Sequence, residues 1–198
     1  MKSLKLSLYT FLIATLLLVT GCKHGYLDDN LAGFNIGRKV NVSEILDDIK
    51  NDRHLVIDRV DYISAEVEKT KEKTIIHLSA NIPEGKLDTD VYLTPDTSTT
   101  VGIRTQLYTA DAGNFSENIA NVYSDKYGRP HVLGTSHVWL DIHGNRKLTV
   151  GSNLNDTVAE VFLIDTSSRA EAVLSKYDPS PGEDDARRYV NDTLNKNI

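Results

Sequence analysis

Short runs of alternating apolar residues, tight-turn signals between them and a few stretches of helical period predict an α+β fold. In that fold an antiparallel sheet carries a few helices packed mainly on one face. Successive strand-like runs mostly adjoin each other, whereas parallel strands would need a crossover between each pair. The composition is that of a globular chain: 198 residues, 40% hydrophobic, 25% charged, 12 Gly and 5 Pro. Such a mixture excludes a disordered tail and a collagen-like repeat. A single Cys excludes a disulfide-stapled mini-protein. The 22 Lys and Arg against 28 Asp and Glu give a net charge of −6, which supplies no field for nucleic acid.

The elements follow in order. Asn41 with Glu44 three residues on has capping-box spacing, and Val40 with Ile45 stands where a hydrophobic staple would. Ile45, Leu46 and Ile49 then make one apolar stripe of a helix over about 42–52. Residues 55–63 are β-branched and read as one strand with Val56, Val60 and Tyr62 on a shared face. The charged stretch 66–73 reads as a turn or hairpin end. Ile76, Leu78, Ala80 and Ile82 alternate in a strand over 74–82, broken by Pro83-Glu84-Gly85. Val91-Tyr92-Leu93 reads as a short strand stopped by Pro95, and Val101, Ile103, Thr105 and Leu107 make another period-2 run.

Asn114 and Glu117 repeat the capping spacing, ahead of an apolar stripe of Phe115, Ile119, Val122, Tyr123 and Tyr127. Gly128 and Pro130 end that helix as a C′ glycine and a following proline should. Val138, Leu140 and Ile142 alternate into Gly144-Asn145, a two-residue hairpin loop in which Gly supplies the positive φ, and Leu148 and Val150 return. A further strand spans about 158–164. Ser168 with Glu171 opens a third helix, and an amphipathic segment with Tyr189, Val190 and Leu194 closes the chain.

The first 22 residues have a character of their own. Met1-Lys2-Ser3-Leu4-Lys5 is a basic start without an acid, and the stretch 6–19 is mostly apolar. That run is short for a bilayer span, which needs about 20 residues, and fits the h-region of a secretory signal. It ends in Val19-Thr20-Gly21-Cys22, which resembles the lipobox of bacterial lipoproteins. The resemblance covers only these residues. It implies removal of 1–21, acylation of Cys22 and attachment to a membrane through the lipid. More than one acyl chain makes such attachment stable. In that family an Asp after the acylated Cys tends to retain the protein at the inner membrane. Lys23 stands there, so the resemblance implies the outer membrane if the host has one.

Without residues 1–21, which hold two Lys and no acid, the charge becomes −8. That charge does not favour the globular part lying on an anionic bilayer. The chain thus divides into a signal peptide over 1–21, the acylated Cys with a tether over 22–40, and a single domain over 41–198. Gly25, Gly33 and Gly37 punctuate the tether, and the competing reading is that Leu31, Phe34 and Ile36 dock on the domain.

Candidate chemistry is sparse. His137, Trp139, Asp141 and His143 alternate along one strand and therefore share a face. Two imidazoles and a carboxylate are zinc-ligand types, but His137 and His143 would stand roughly 20 Å apart along a strand, too far for one ion. The acidic groups at 28–29, 47–48 and 183–185 lack calcium-loop spacing. No G-x-S-x-G, P-loop or dinucleotide glycine pattern occurs. The sequence therefore assigns no catalytic residue, no metal and no cofactor.

It offers instead a candidate binding face on the non-core side of the sheet: His137, Trp139 and Asp141, with Lys147 and Thr149 on the facing strand. Tyr92 and Tyr108, on or near strands, also suit contact surfaces, since Tyr has an apolar body and a polar tip. The functional expectation is a lipid-anchored, non-catalytic binding module for a protein or cell-envelope component. An envelope enzyme acting on cell-wall glycan or peptide is the alternative.

Overall fold

A computed structural model describes residues 26–51 and 55–175. The leader with Cys22 and the amphipathic C-terminal segment lie outside the described residues. The chain opens with a small hairpin, β1 (Asn30–Leu31) and β2 (Phe34–Asn35), followed by α1 (Val42–Lys50). The Asn41 side chain accepts from the Glu44 N–H and donates to the Glu44 carboxylate, so this helix starts where the capping pattern placed it. A second hairpin follows, β3 (Leu55–Ile57) and β4 (Val60–Tyr62).

The main sheet has eight strands: β5 (Ser64–Lys69), β6 (Thr74–Ile82), β7 (Gly85–Leu93), β8 (Thr100–Tyr108), β9 (His131–Leu133), β10 (Ser136–Asp141), β11 (Arg146–Ser152) and β12 (Val158–Asp165). Their order is β5-β6-β7-β8-β12-β11-β10-β9, every neighbouring pair antiparallel. Two four-stranded meanders thus meet where β12 returns beside β8. The helix α2 (Ala112–Tyr127) connects the two meanders, and α3 (Ser168–Leu174) follows the last strand.

This corrects the α+β expectation. Strand residues far outnumber helical ones, so the fold is mostly β. Nor do the helices gather on one face. Cross-strand partners share a face, which defines an inner face holding Ile76, Val91, Ile103, Leu163 and Leu148. Here α2 packs across β11 and β12. The outer face carries α3 against β7, β8 and β12, with Ile75, Tyr92, Phe162, Val173 and Leu174 buried between them. Gly102 permits that approach: a Cβ there would press on Leu174 and Tyr92.

Strand β5 and the first half of β7 escaped the sequence reading because charged residues recur at every second position along them. In β5 these are Glu66 and Glu68; in the first half of β7 they are Lys86, Asp88 and Asp90. The single strand expected over 55–63 is instead a hairpin, whose turn residues Asp58 and Arg59 both have positive φ, 47° and 69°. Val56 is accordingly exposed while Tyr62 is buried. Of the two readings of the stretch after Cys22, docking holds from Leu27 onward. Leu27, Leu31, Phe34 and Ile36 are all buried in the main core.

Candidate functional site

The five residues expected on one exposed face do not form it. The register pairs Trp139 with Leu148, Leu140 with Lys147 and Val138 with Thr149. His137, Trp139 and Asp141 therefore face inward beneath α2, while Lys147 and Thr149 face outward. The physical reason is that both faces of β10 and β11 are covered: Val138 and Trp139 are adjacent yet both buried. Apolar alternation then cannot tell which phase points to the core.

Each inward residue has a structural task. Trp139 is 4% exposed, meets Tyr123 edge-on at 5.9 Å and donates from Nε1 to the Gly128 carbonyl at 2.8 Å. It thereby ties β10 to the end of α2. Burial raises the pKa of the Tyr123 phenol, which stays protonated at any physiological pH. Asp141 is 5% exposed and accepts from the backbone N–H groups of Leu27 at 3.1 Å and Gly144 at 2.8 Å. It pins the N-terminal strap to the β10–β11 turn. Asn145, not Gly144, takes the positive φ of that turn, at 53°; Gly144 is needed because a Cβ there would collide with the Asp141 carboxylate.

His137 stacks near Trp139 and stands 3.8 Å from the Glu117 carboxylate, while His143 is exposed in the turn. Lys147 is buried on the outer face. Among the described residues no group of three His, Cys, Asp or Glu side chains could hold a metal ion.

The polar surface the fold does build lies on the outer face of β5–β8 and β12, beside α3. One cross-strand row runs Glu66, His77, Asp90, Arg104; the next runs Ser79, Asp88, Gln106, Glu160; Lys86 pairs with Tyr108 beyond them. These side chains hold one another. The His77 Nδ1 lies 2.7 Å from Asp90 Oδ1, and the Ser79 hydroxyl donates to Asp88 at 2.6 Å. Lys86 donates to the same Asp88 at 2.8 Å, and Gln106 donates to Glu160 at 3.1 Å beside the Arg104–Glu160 ion pair. Tyr108 is 41% exposed, with the Lys86 ammonium 5.5 Å from its ring centre. Desolvation, then the Asp88 charge, raises its phenol pKa.

The hydrogen bond that the His77 ring donates to Asp90 holds the His77 pKa above its usual value, against partial burial, with the charges of Asp90, Glu68 and Glu66 adding to the rise. The protonated imidazolium is thus favoured in the folded state. Its stabilisation is complete below the unfolded value of about 6.5 and is lost as pH rises through the higher folded value. An NMR titration of the His77 ring should therefore give a midpoint above about 6.5, and Asp90→Asn should bring that midpoint down. A His77 midpoint unchanged by Asp90→Asn would contradict this assignment.

A His–Asp pair resembles part of a general-base arrangement, but the chemistry stops there. The nearest hydroxyl in the next row, Ser79, is committed to Asp88 and stands two residues along the strand from His77, about 6.5–7 Å away. The surface is an open sheet face of fixed donors and acceptors. The sequence signal that could have found it is the alternation Lys86, Asp88, Asp90 against Leu87, Thr89, Val91; Tyr108 was singled out by type alone.

An apolar pocket lies on the opposite, inner face. It measures about 90 Å³, and apart from Thr105 and Asp58 its lining is aliphatic and aromatic. The fold and these two surfaces define a mostly-β protein with one polar open sheet face and one half-open apolar pocket. No protein-family model and no curated protein matches this chain.

Proposed function

We propose that the chain is a lipid-anchored lipoprotein of the bacterial cell envelope, attached through Cys22, that acts as a non-catalytic binding module for an envelope protein or component. The lipobox residues Val19-Thr20-Gly21-Cys22 support the anchor. With Lys23 after the Cys, its place is the outer membrane in a diderm host. Among the described residues no helix is long and apolar enough to cross a membrane.

The observation that carries the binding role is the outer-face ladder around Tyr108. It sets a half-exposed aromatic ring beside a lysine, with acids, an amide and a histidine already held in fixed geometry. Pre-ordered side chains lose less entropy on association, and Tyr is a preferred anchor of interfaces. The alternative, an envelope enzyme acting on glycan or peptide, has the His77–Asp90 pair in its favour, but the neighbouring hydroxyls are held by carboxylates, Tyr92 by Asp90 and Ser79 by Asp88.

The anchor is short on this reading. Leu27 is fastened to Asp141, and five residue steps from Cys22 reach at most about 16–18 Å. The end of the sheet bearing Asp141 therefore stays near the lipid surface.

The test is photo-crosslinking in the expressing bacterium, with a photoreactive side chain at Tyr108 and a control at Leu154, which is 91% exposed. A single discrete adduct from position 108 and none from 154 is expected. Equal adducts from both, or cell-wall turnover by the purified protein, would overturn the reading.

A further inference from the structure

The end of the sheet that receives the N-terminal strap carries apolar side chains the fold does not cover. The Leu27 N–H donates to Asp141 at 3.1 Å, and a chain neighbour of each partner is an exposed apolar residue. Tyr26 is 58% exposed, and Ile142, in the β10–β11 turn, is 55% exposed. The acids beside them are matched. Asp28 pairs with Lys126, and Arg146 stands 2.9 Å from Asp29 and 3.7 Å from Asp165. Asp141 itself is buried. Further along the same end, the Arg38 carbonyl accepts from the N–H of Thr100, where β8 begins. The side chains of Arg38 and Lys39 are exposed there and make no ion pair among the described residues. This end therefore offers apolar tips and uncompensated cations, in a chain whose net charge is negative.

We infer that this end of the domain docks on the bilayer that holds Cys22, with Tyr26 and Ile142 entering the boundary between headgroups and acyl chains and with Arg38 and Lys39 facing anionic headgroups. The inference rests on the proposed acylation of Cys22. Four residue steps lead from Cys22 to Tyr26, at most about 13–14 Å of chain, so the lipid surface is always within reach. So short a link turns contact into an intramolecular event at high effective concentration. A patch too small to hold a free protein then suffices for a tethered one. The residue types suit the place: a tyrosine ring with its polar tip is favoured at the membrane–water boundary, and exposed Lys and Arg are drawn to anionic lipid. At the opposite end of the sheet the exposed apolar residue, Leu154, shares its turn with exposed Asp156. Between the two ends β11 spans about 20 Å from Arg146 to Ser152. The domain thus stands upright on the membrane, and Tyr108, paired with Val158 at the far end, is presented away from the lipid.

The test uses the mature full chain, purified from the expressing bacterium and reconstituted into vesicles of phosphatidylethanolamine with phosphatidylglycerol. Acylation occupies its one thiol, so Ile142→Cys supplies the attachment point for a polarity-sensitive dye and Leu154→Cys the control. Both are exposed turn residues, so neither substitution disturbs the core. On the vesicles the dye at position 142 should shift to the blue and be quenched by nitroxide-labelled lipid, while the dye at position 154 keeps its emission in water. Tyr26→Ser should reduce the shift at 142. So should Arg38→Ser together with Lys39→Ser, or phosphatidylcholine in place of phosphatidylglycerol. A chain that sediments with the vesicles while its dye at 142 stays in water, or that shifts equally at 142 and 154, would overturn this inference and leave the anchor standing. A shift at 142 that neither Tyr26→Ser nor the loss of anionic lipid reduces would overturn it too, since the dye would then be partitioning by itself. A chain left in the supernatant would overturn the anchor, and the docking with it.

Discussion

Replacing Trp139 by Ala should lower the unfolding free energy by about 3–5 kcal/mol, the range for truncating a large buried aromatic. Several losses combine. The indole ring leaves a cavity beneath α2, where it meets Tyr123 at 5.9 Å. The Gly128 carbonyl loses the Nε1–H that holds the end of α2 against β10. Trp139→Phe restores much of the volume but not the hydrogen bond, so it should fall between the two. Urea unfolding of the three proteins checks this order. On the exposed-patch expectation Trp139→Ala would change stability by no more than about 0.5 kcal/mol, as surface substitutions do. The experiment thus separates the two placements of one residue by several kcal/mol.

Phe34→Ala is expected to cost a similar amount, about 3–5 kcal/mol. Phe34 lies in β2 with its side chain buried in the main core, alongside Leu27, Leu31 and Ile36 of the same strap. A flexible tether would make this substitution neutral. The strap is also held by backbone bonds: the Ile36 N–H donates to the Asp29 carbonyl at 2.8 Å, and the Gly37 N–H to the Thr100 carbonyl at 2.8 Å. Loosening it should expose the cavity beneath Leu31 and the backbone at Asp141 together. Amide exchange should accordingly accelerate at Leu27 and Gly37 in Phe34→Ala well before the central strands are affected. Exchange unchanged at both sites would contradict the docked strap.

What the sequence showed, and what it concealed, follows from how local each signal was. Asn41 and Glu44 placed a helix start because a cap is settled within four residues, and Gly128, with φ of 85°, marked the end of α2 for the same reason. The strands through Ile76, Ile103, Leu148 and Val161 were legible from period-2 alternation. The phase of β10 was not. Val138 and Trp139, on opposite faces, are both buried, so burial no longer favours one register reading.

The turn at Asp58-Arg59 was hidden because Arg is an unusual occupant of positive φ, so a hairpin passed for one strand. Capping spacing misled at Asn114, whose side chain donates to Asp111 while the helix begins at Ala112. Beyond the alternation of Lys86, Asp88 and Asp90 within one strand, the outer-face ladder was hidden for a different reason. His77, Asp90, Arg104 and Glu160 are spread over more than eighty residues, and only strand pairing brings them together. No motif of fixed spacing could have reported them.

The proposed envelope setting rests on the Cys22 thiol, so the most direct measurement is labelled-palmitate incorporation in the expressing bacterium, followed by mass spectrometry of the purified chain. The account predicts label on the wild-type protein, none on Cys22→Ser, and an acylated Cys22 as the first residue. An intact Met1 end with an unmodified Cys22, or label retained by Cys22→Ser, would contradict it.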